Sequence, residues 1–179
     1  MNIYTCTFPI LVLPFKQHLE VKQPLLDAID TTDTVDLKEP FSAISRSNYR
    51  NCSLQDQYWQ LVSGPIQQQV SEAVSSYGYM AEITQQWFQQ YQRHDTHPWH
   101  THPGSDLSIV YYVELPDHAA TEFLDLVTKK ITSFPVHEGD LLIFPSVMTH
   151  RSPVNRTTNR KTVIAMNARA ANATTEMRY

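Results

Sequence analysis

HTHPGSDLSIVYYVEL, residues 100–115, decides how the chain reads. Its second half, Leu107 to Leu115, is dense in β-branched and aromatic residues and is bounded by Pro103-Gly104 on one side and Pro116-Asp117 on the other, the composition and punctuation of a strand. Upstream, Ile83, Gln85, Trp87, Gln89 and Tyr91 alternate with Thr84, Gln86, Phe88 and Gln90, a period of two. Downstream, the stretches 120–127, 131–136, 140–144 and 162–167 read as four further strands, separated by turn formers. Short strands at nearly even spacing predict an antiparallel sandwich or barrel.

The N-terminal half is different. Residues 3–15 are β-rich by composition. Leu19, Leu25, Leu26 and Ile29 recur at helical spacing, which predicts a helix from Lys16 to about Asp30; residues 31–50 read as an irregular segment. From Leu54 to Tyr77 the apolar residues again fall three or four apart. Gly64-Pro65 is expected to split or kink that helix, and Gly78 to stop it. The expected organisation is one domain over 1–179: a strand and helical support in 1–80, a β core in 81–170 with the helices packed on one face, and a tail at 171–179.

Composition excludes several classes. The 179 residues carry a formal charge of -4 with no basic stripe, so direct nucleic-acid binding is not expected. Four glycines cannot build a dinucleotide fingerprint, a Walker loop or a nucleophile elbow. Two cysteines, Cys6 and Cys52, make no disulfide framework. No stretch approaches the ~20 apolar residues of a membrane helix, no secretion signal is legible, and a cytoplasmic location is the default expectation.

Of the eight histidines, those at 94, 97, 100 and 102 lie within nine residues. Strand residues i and i+2 project to one face about 6.6 Å apart, so His100 and His102 can reach one metal ion, whereas His97 and His100 in an extended segment cannot. His150 follows another strand-like run and can return to the same end of the barrel. Two imidazoles from one segment and one from another make a facial set that leaves three positions open on an octahedral metal, the arrangement of a catalytic iron site. Asp106 and Asp95 stand near enough in sequence to compete with His102 as ligand or acceptor.

The stretch from Trp87 to Asn167 resembles the double-stranded β-helix, or jelly roll, of the 2-oxoglutarate- and Fe(II)-dependent oxygenases, in a branch with an HxHPgs motif followed by LSxVYY. His100-Thr101-His102-Pro103-Gly104-Ser105 and Leu107-Ser108-Ile109-Val110-Tyr111-Tyr112 carry the likeness, with Gly139-Asp140 opening a strand into Phe144-Pro145-Ser146 and His150. The resemblance implies that His100, His102 and His150 hold Fe(II), and that 2-oxoglutarate is the cosubstrate with O2. It also implies that Arg160 and Thr162, as an R-x-S/T motif, bind the far carboxylate of 2-oxoglutarate with help from Tyr112 and Tyr91, and that the chain is a hydroxylase of an unspecified primary substrate. Most relatives have an acid where this chain has His102. The loop 94–99 and the strand with Glu122 and Asp125 are candidate substrate rims, while Arg151 and Arg156 read as solvated loop residues. Two rivals remain: a metal-dependent cupin, whose motifs His100, His102, Asp106, Gly139, Pro145 and His150 nearly fit, and a non-catalytic metal- or ligand-binding jelly roll.

Overall fold

The computed structural model describes residues 9–34 and 43–172. Among the described residues ten strands and three helices follow one another as β1 (Leu11–Pro14), α1 (His18–Thr31), β2 (Arg46–Ser47), α2 (Gln57–Gln60), α3 (Ser63–Ser75), β3 (Tyr79–Tyr91), β4 (His97–His100), β5 (Leu107–Glu114), β6 (Glu122–Leu124), β7 (Ile131–Ser133), β8 (Asp140–Pro145), β9 (His150–Ser152) and β10 (Lys161–Asn172). The strands form two antiparallel sheets, a larger one ordered β1-β8-β5-β10-β3-β2 and a smaller one ordered β4-β9-β6-β7. This is the mainly β, antiparallel arrangement that the spacing of the strands predicts, in the jelly-roll form that the resemblance implies.

Two apolar clusters divide the larger sheet between its faces. One joins Leu25, Leu26 and Ile29 of α1 and Ile66, Val70 and Val74 of α3 to Ile109, Tyr111, Ile164 and Met166 of the sheet. The other, between the sheets, gathers Tyr91, Tyr112, Phe123, Leu142, Phe144 and Val163. Because side chains on a strand alternate between faces, consecutive residues of β10 serve different cores, Val163 the inner one and Ile164 the helical one. β10 is paired along both edges, with β3 and with β5.

The helical half departs from expectation in detail. The break between α2 and α3 falls at Leu61 and Val62, before Gly64-Pro65. Pro65 sits in the first turn of α3, where a missing N–H costs no intrahelical bond. Gly78, at φ 79, reverses the chain into β3, and its N–H donates to the Ser75 carbonyl at 2.9 Å. The strands expected at 120–127 and 131–136 shrink to three residues each, β3 starts at Tyr79, and β10 runs to Asn172, into the expected tail. The strand expected at 3–15 appears as Leu11–Pro14, its earlier part lying outside the described residues with Cys6. Among the described residues no helix is long and apolar enough to cross a membrane.

Gly139 ties the helical layer to the barrel. It has φ 91, donates its N–H to the Tyr112 carbonyl and accepts from the Phe15 N–H, both at 2.8 Å. A Cβ there would stand 2.9 Å from Cγ and Cδ2 of His18, whose ring is buried and fixed by a 2.7 Å hydrogen bond to the Tyr111 hydroxyl. Gly139→Ala combines a left-handed backbone with a clash that a packed ring cannot relieve, and is expected to destabilise the fold by about 2 kcal/mol or more. A urea titration of the variant against the parent chain checks this.

Candidate metal centre

His100 ends β4, His102 lies in the turn beyond it, and His150 opens β9, directly opposite His100 in the ladder. The turn is held against the end of β8: the Ser146 carbonyl accepts from the His102 N–H at 3.1 Å, the Asp106 carbonyl accepts from the Ser146 N–H at 3.0 Å, and the Ser108 and Ser146 hydroxyls are 2.9 Å apart. Gly104, at φ 91, lets the chain double back into β5. The H-T-H-P-G-S and F-P-S segments therefore brace each other.

The three imidazoles converge. Ring centroids are 5.0 Å apart for His100 and His102, 4.3 Å for His100 and His150, and 5.1 Å for His102 and His150. One nitrogen from each lies within 4.8 Å of the others. With metal–nitrogen bonds of about 2.1 Å, small ring rotations bring all three onto a single ion. The Pro98 carbonyl accepts from His100 Nδ1 at 2.7 Å and the Met148 carbonyl from His150 Nδ1 at 2.8 Å. A carbonyl only accepts, so each ring carries its proton on Nδ1 and keeps the Nε2 lone pair for a metal. The donor set suits a divalent transition ion. Burial pushes the His102 imidazole down to about 4 and that of His150 to about 3, with the nearby His100 charge adding to the effect in both; burial lowers His100 as well. Trp87 stacks on His102 at 5.7 Å.

Asp106 and Asp95 are occupied elsewhere. Asp106 is exposed and accepts from the Ala170 N–H at 2.9 Å, and Asp95 accepts from the Gln92 N–H and the Ser45 hydroxyl. His97 is a different matter. β4 and β9 shift register between His97 and His100, and the irregularity brings the His97 ring to 4.1 Å from His100, on the wall of the same cavity. Burial, then the charges of His100, His102 and Lys161, hold it down at about 3. An extended segment would separate them, as the sequence reading expected; a bulge cannot be read from the residues.

A correction concerns the cation. Arg160 points away from the cavity: its guanidinium grips Glu114, Nε donating to Oε2 at 2.8 Å and Nη2 to Oε1 at 3.3 Å, with Asp30 3.4 Å from Nη1. Thr162 turns the same way and donates its hydroxyl to Glu114. The residue between them, Lys161, faces inward, is 2% exposed and lines the cavity with Tyr91, Thr121 and Val163. Its ammonium donates to the Ala119 carbonyl at 2.6 Å and the Ser152 hydroxyl at 2.8 Å, and stands 5.2 Å from the centre of the Tyr91 ring and 5.9 Å from that of Tyr112. Burial lowers it to about 7 against a small upward pull from Glu122. Both tyrosines are buried, Tyr112 donating to Thr121 Oγ1 at 2.8 Å and Tyr91 to Gln89 Oε1 at 2.8 Å.

Glu122 accepts from Arg151 Nε at 2.7 Å, and Arg151 lies 4.4 Å over the Trp99 ring on the cavity wall rather than in a solvated loop. Asp125 caps the β6–β7 turn through the Val127 and Thr128 N–H groups. The partly open cavity measures about 40 Å³, room for a few waters. A five-carbon diacid needs more, so side chains on its open side must move to admit one.

No protein-family model and no curated relative matches the sequence. Solved structures do match in fold. The viral collagen prolyl hydroxylase of Paramecium Bursaria Chlorella virus-1, in complex with 2-oxoglutarate, aligns with TM-score 0.61 at 12% identity over 89% of this chain and 94% of its own. A 2OG-Fe(II) oxygenase family oxidoreductase from Burkholderia pseudomallei aligns with TM-score 0.67 at 11% identity over 92% and 87%. HygX from Streptomyces hygroscopicus, with nickel and 2-oxoglutarate bound, gives 0.67 at 12% over 89% and 82%. The fold is that of the 2-oxoglutarate- and Fe(II)-dependent oxygenases. At these identities the likeness is one of architecture, and the residues of the centre must be judged by their own chemistry.

The lowered imidazoles make the metal-free protein sensitive to acid. Their folded values lie below the ordinary one near 6.5, so between about pH 6.5 and 4 the unfolded chain takes up protons that the native chain refuses, and stability falls as pH falls. The expected loss at pH 5 is on the order of 1–2 kcal/mol per imidazole relative to pH 7. Urea midpoints of the metal-free protein at the two pH values measure it; a saturating divalent metal should raise both midpoints and leave the gap about as wide, because the folded His102 and His150 rings are already neutral at pH 5.

Proposed function

We propose that this chain is an Fe(II)- and 2-oxoglutarate-dependent oxygenase, acting as a hydroxylase, in which His100, His102 and His150 hold iron and Lys161 takes the place first given to Arg160. The observation that carries the reading is the buried ammonium lining the same cavity as three convergent imidazoles. Burying an unpaired cation is costly, and an anion that comes to meet it removes the cost. Iron in such a site supplies, with the keto acid, oxygen activation coupled to decarboxylation to succinate and oxidation of a substrate C–H bond.

The chain's own groups divide the remaining work. Nδ1 protons held by the Pro98 and Met148 carbonyls orient His100 and His150 with Nε2 toward the metal. Lys161 offers a charge-assisted hydrogen bond to the far carboxylate of the cosubstrate, and a carboxylate partner in turn raises the lysine's affinity for its proton. Thr121 on the cavity wall, held by the Tyr112 hydroxyl behind it, extends the polar end of the pocket. Tyr91, with its hydroxyl turned to Gln89, acts through its ring face, against which the ammonium packs. With an imidazole at position 102 instead of an acid, the centre carries one more unit of positive charge, which favours a dianionic cosubstrate. A cupin-type metal enzyme has no use for a cation in that position, and Arg160, engaged by Glu114, supplies no argument either way.

Anaerobic Fe(II) titration distinguishes these cases. A charge-transfer band that appears only on adding 2-oxoglutarate is the expected result. Lys161→Ala should weaken 2-oxoglutarate binding at least tenfold while iron is retained, and Arg160→Ala should leave binding within about twofold. Iron retention with no band in the parent chain would favour the cupin reading.

A further inference from the structure

His97 lines the cavity, yet neither the metal triad nor Lys161 accounts for its presence there. Across the ladder it faces Ser152, and His100 faces His150, so three steps along β4 match two along β9. In a regular strand residues three apart point to opposite faces; the one extra residue here turns both rings inward. The His97 ring comes to 4.1 Å from that of His100, on a wall shared with Ser152 and Lys161. Pro98, inside the same irregularity, supplies the carbonyl that holds Nδ1 of His100. One bulge thus orients a metal ligand and brings a fourth imidazole to its side.

That fourth imidazole is unengaged. His100 and His150 each commit Nδ1 to a carbonyl, whereas neither nitrogen of His97 has a hydrogen-bond partner among the described residues. The sealed polar atoms without a partner are Nε2 of His18, Nε1 of Trp87 and Oδ1 of Asn167. His97 is not one of them, so its nitrogens keep access to the cavity and its mouth. A neutral imidazole always carries one N–H, and a donor left open on a largely buried wall awaits an acceptor.

The walls decide which kind of acceptor. No Asp or Glu is among the residues that line the cavity, and its polar groups include, besides the imidazoles, the Lys161 ammonium and the Ser152 and Thr121 hydroxyls. The cleft beyond His102, about 570 Å³ and open to solvent, has Glu82 opposite Arg169 on its walls and makes no such one-sided demand. A ligand group that only accepts, a carboxylate, suits the cavity. Lys161 stands ready for one end of a dicarboxylate. His97 stands toward the other: its ring packs on His100 and, after burial itself, the charges of His100 and His102 bear on it more than that of Lys161. We propose, on the strength of the oxygenase reading, that His97 donates a hydrogen bond to the carboxylate at the keto-acid end of 2-oxoglutarate, the end that meets the metal. His97 is then a binding residue for the cosubstrate and not a ligand of the ion.

The full chain loaded with Fe(II) in the absence of oxygen provides the test, read through the charge-transfer band of added 2-oxoglutarate. His97→Phe keeps a flat ring beside His100 and removes both nitrogens. It should weaken 2-oxoglutarate binding by about fivefold or more and leave Fe(II) affinity within about twofold of the parent. His97→Gln, which keeps a side-chain N–H, should recover most of that loss, as a purely structural role would not allow. In the Lys161→Ala background His97→Phe should cost the same factor again, because the two groups hold opposite ends of the ligand. Urea midpoints report whether each variant folds, and His97→Leu takes the place of His97→Phe if the larger ring does not. A smaller loss, an equal loss in His97→Phe and His97→Gln, or a fall in Fe(II) affinity overturns the proposal. So does a cost that vanishes in the Lys161→Ala background, which would put both groups on the far carboxylate. Failure of the oxygenase reading shows separately, as a missing band in a parent chain that retains iron.

Discussion

The alternation of side chains along β10 is the constraint from which the rest of this molecule follows. β10 is paired on both edges, and each face meets a different environment. Ile164, Met166 and Ala168 anchor the helical layer, while Lys161, Val163 and Ala165 line the cavity between the sheets and Asn167 the cleft beyond. A slip of one residue would exchange the two sets, putting the guanidinium of Arg160 inside and Lys161 against Glu114. The apolar side chains packed on α1 and α3 therefore fix which cation faces the histidines.

The centre is built from groups that burial keeps neutral, beside one that burial makes costly to charge. The histidines gain from this, because a neutral ring with its proton held on Nδ1 is ready to bind a metal. Lys161 lies under the same desolvation with two hydrogen bonds and two aromatic faces around it. Outside the barrel, Arg160, Thr162 and Glu114 satisfy one another where β10 meets β5, with Asp30 beside the guanidinium. Two cations adjacent in sequence thus live in opposite environments.

The triad was legible because its information is local: two histidines two apart before a strand, and a third after a Gly-Asp strand and Phe144-Pro145-Ser146. The antiparallel β core was legible because the turns carry Gly, Pro and Asp at the required places, and its jelly-roll form from the motifs shared with the oxygenases. The inward cation was not. Residues 161–168 are buried on both faces, so the stretch shows no polar alternation from which to read its facing, and a register shift between Thr162 and Val163 removes any count from the β5 side. His97 was lost for a related reason, the bulge in β4. The partnerless Asn167 and Trp87 side chains leave no trace in the sequence, since a missing partner is a property of three-dimensional neighbours alone.

The register shift next to Asn167 divides the long β3–β10 ribbon into two lengths. On one side the strands are clasped between two packed cores; on the other Glu82, Arg169 and the residues that follow meet solvent, and Tyr79 and Met80 are exposed. Beyond the shift Ala81, Ile83 and Ala168 stay in the helical core, and Gln67 of α3 donates to the Ala81 carbonyl and accepts from the Ile83 N–H, so one face of the outer ribbon is anchored while the other opens to the cleft, two environments built from one pair of strands.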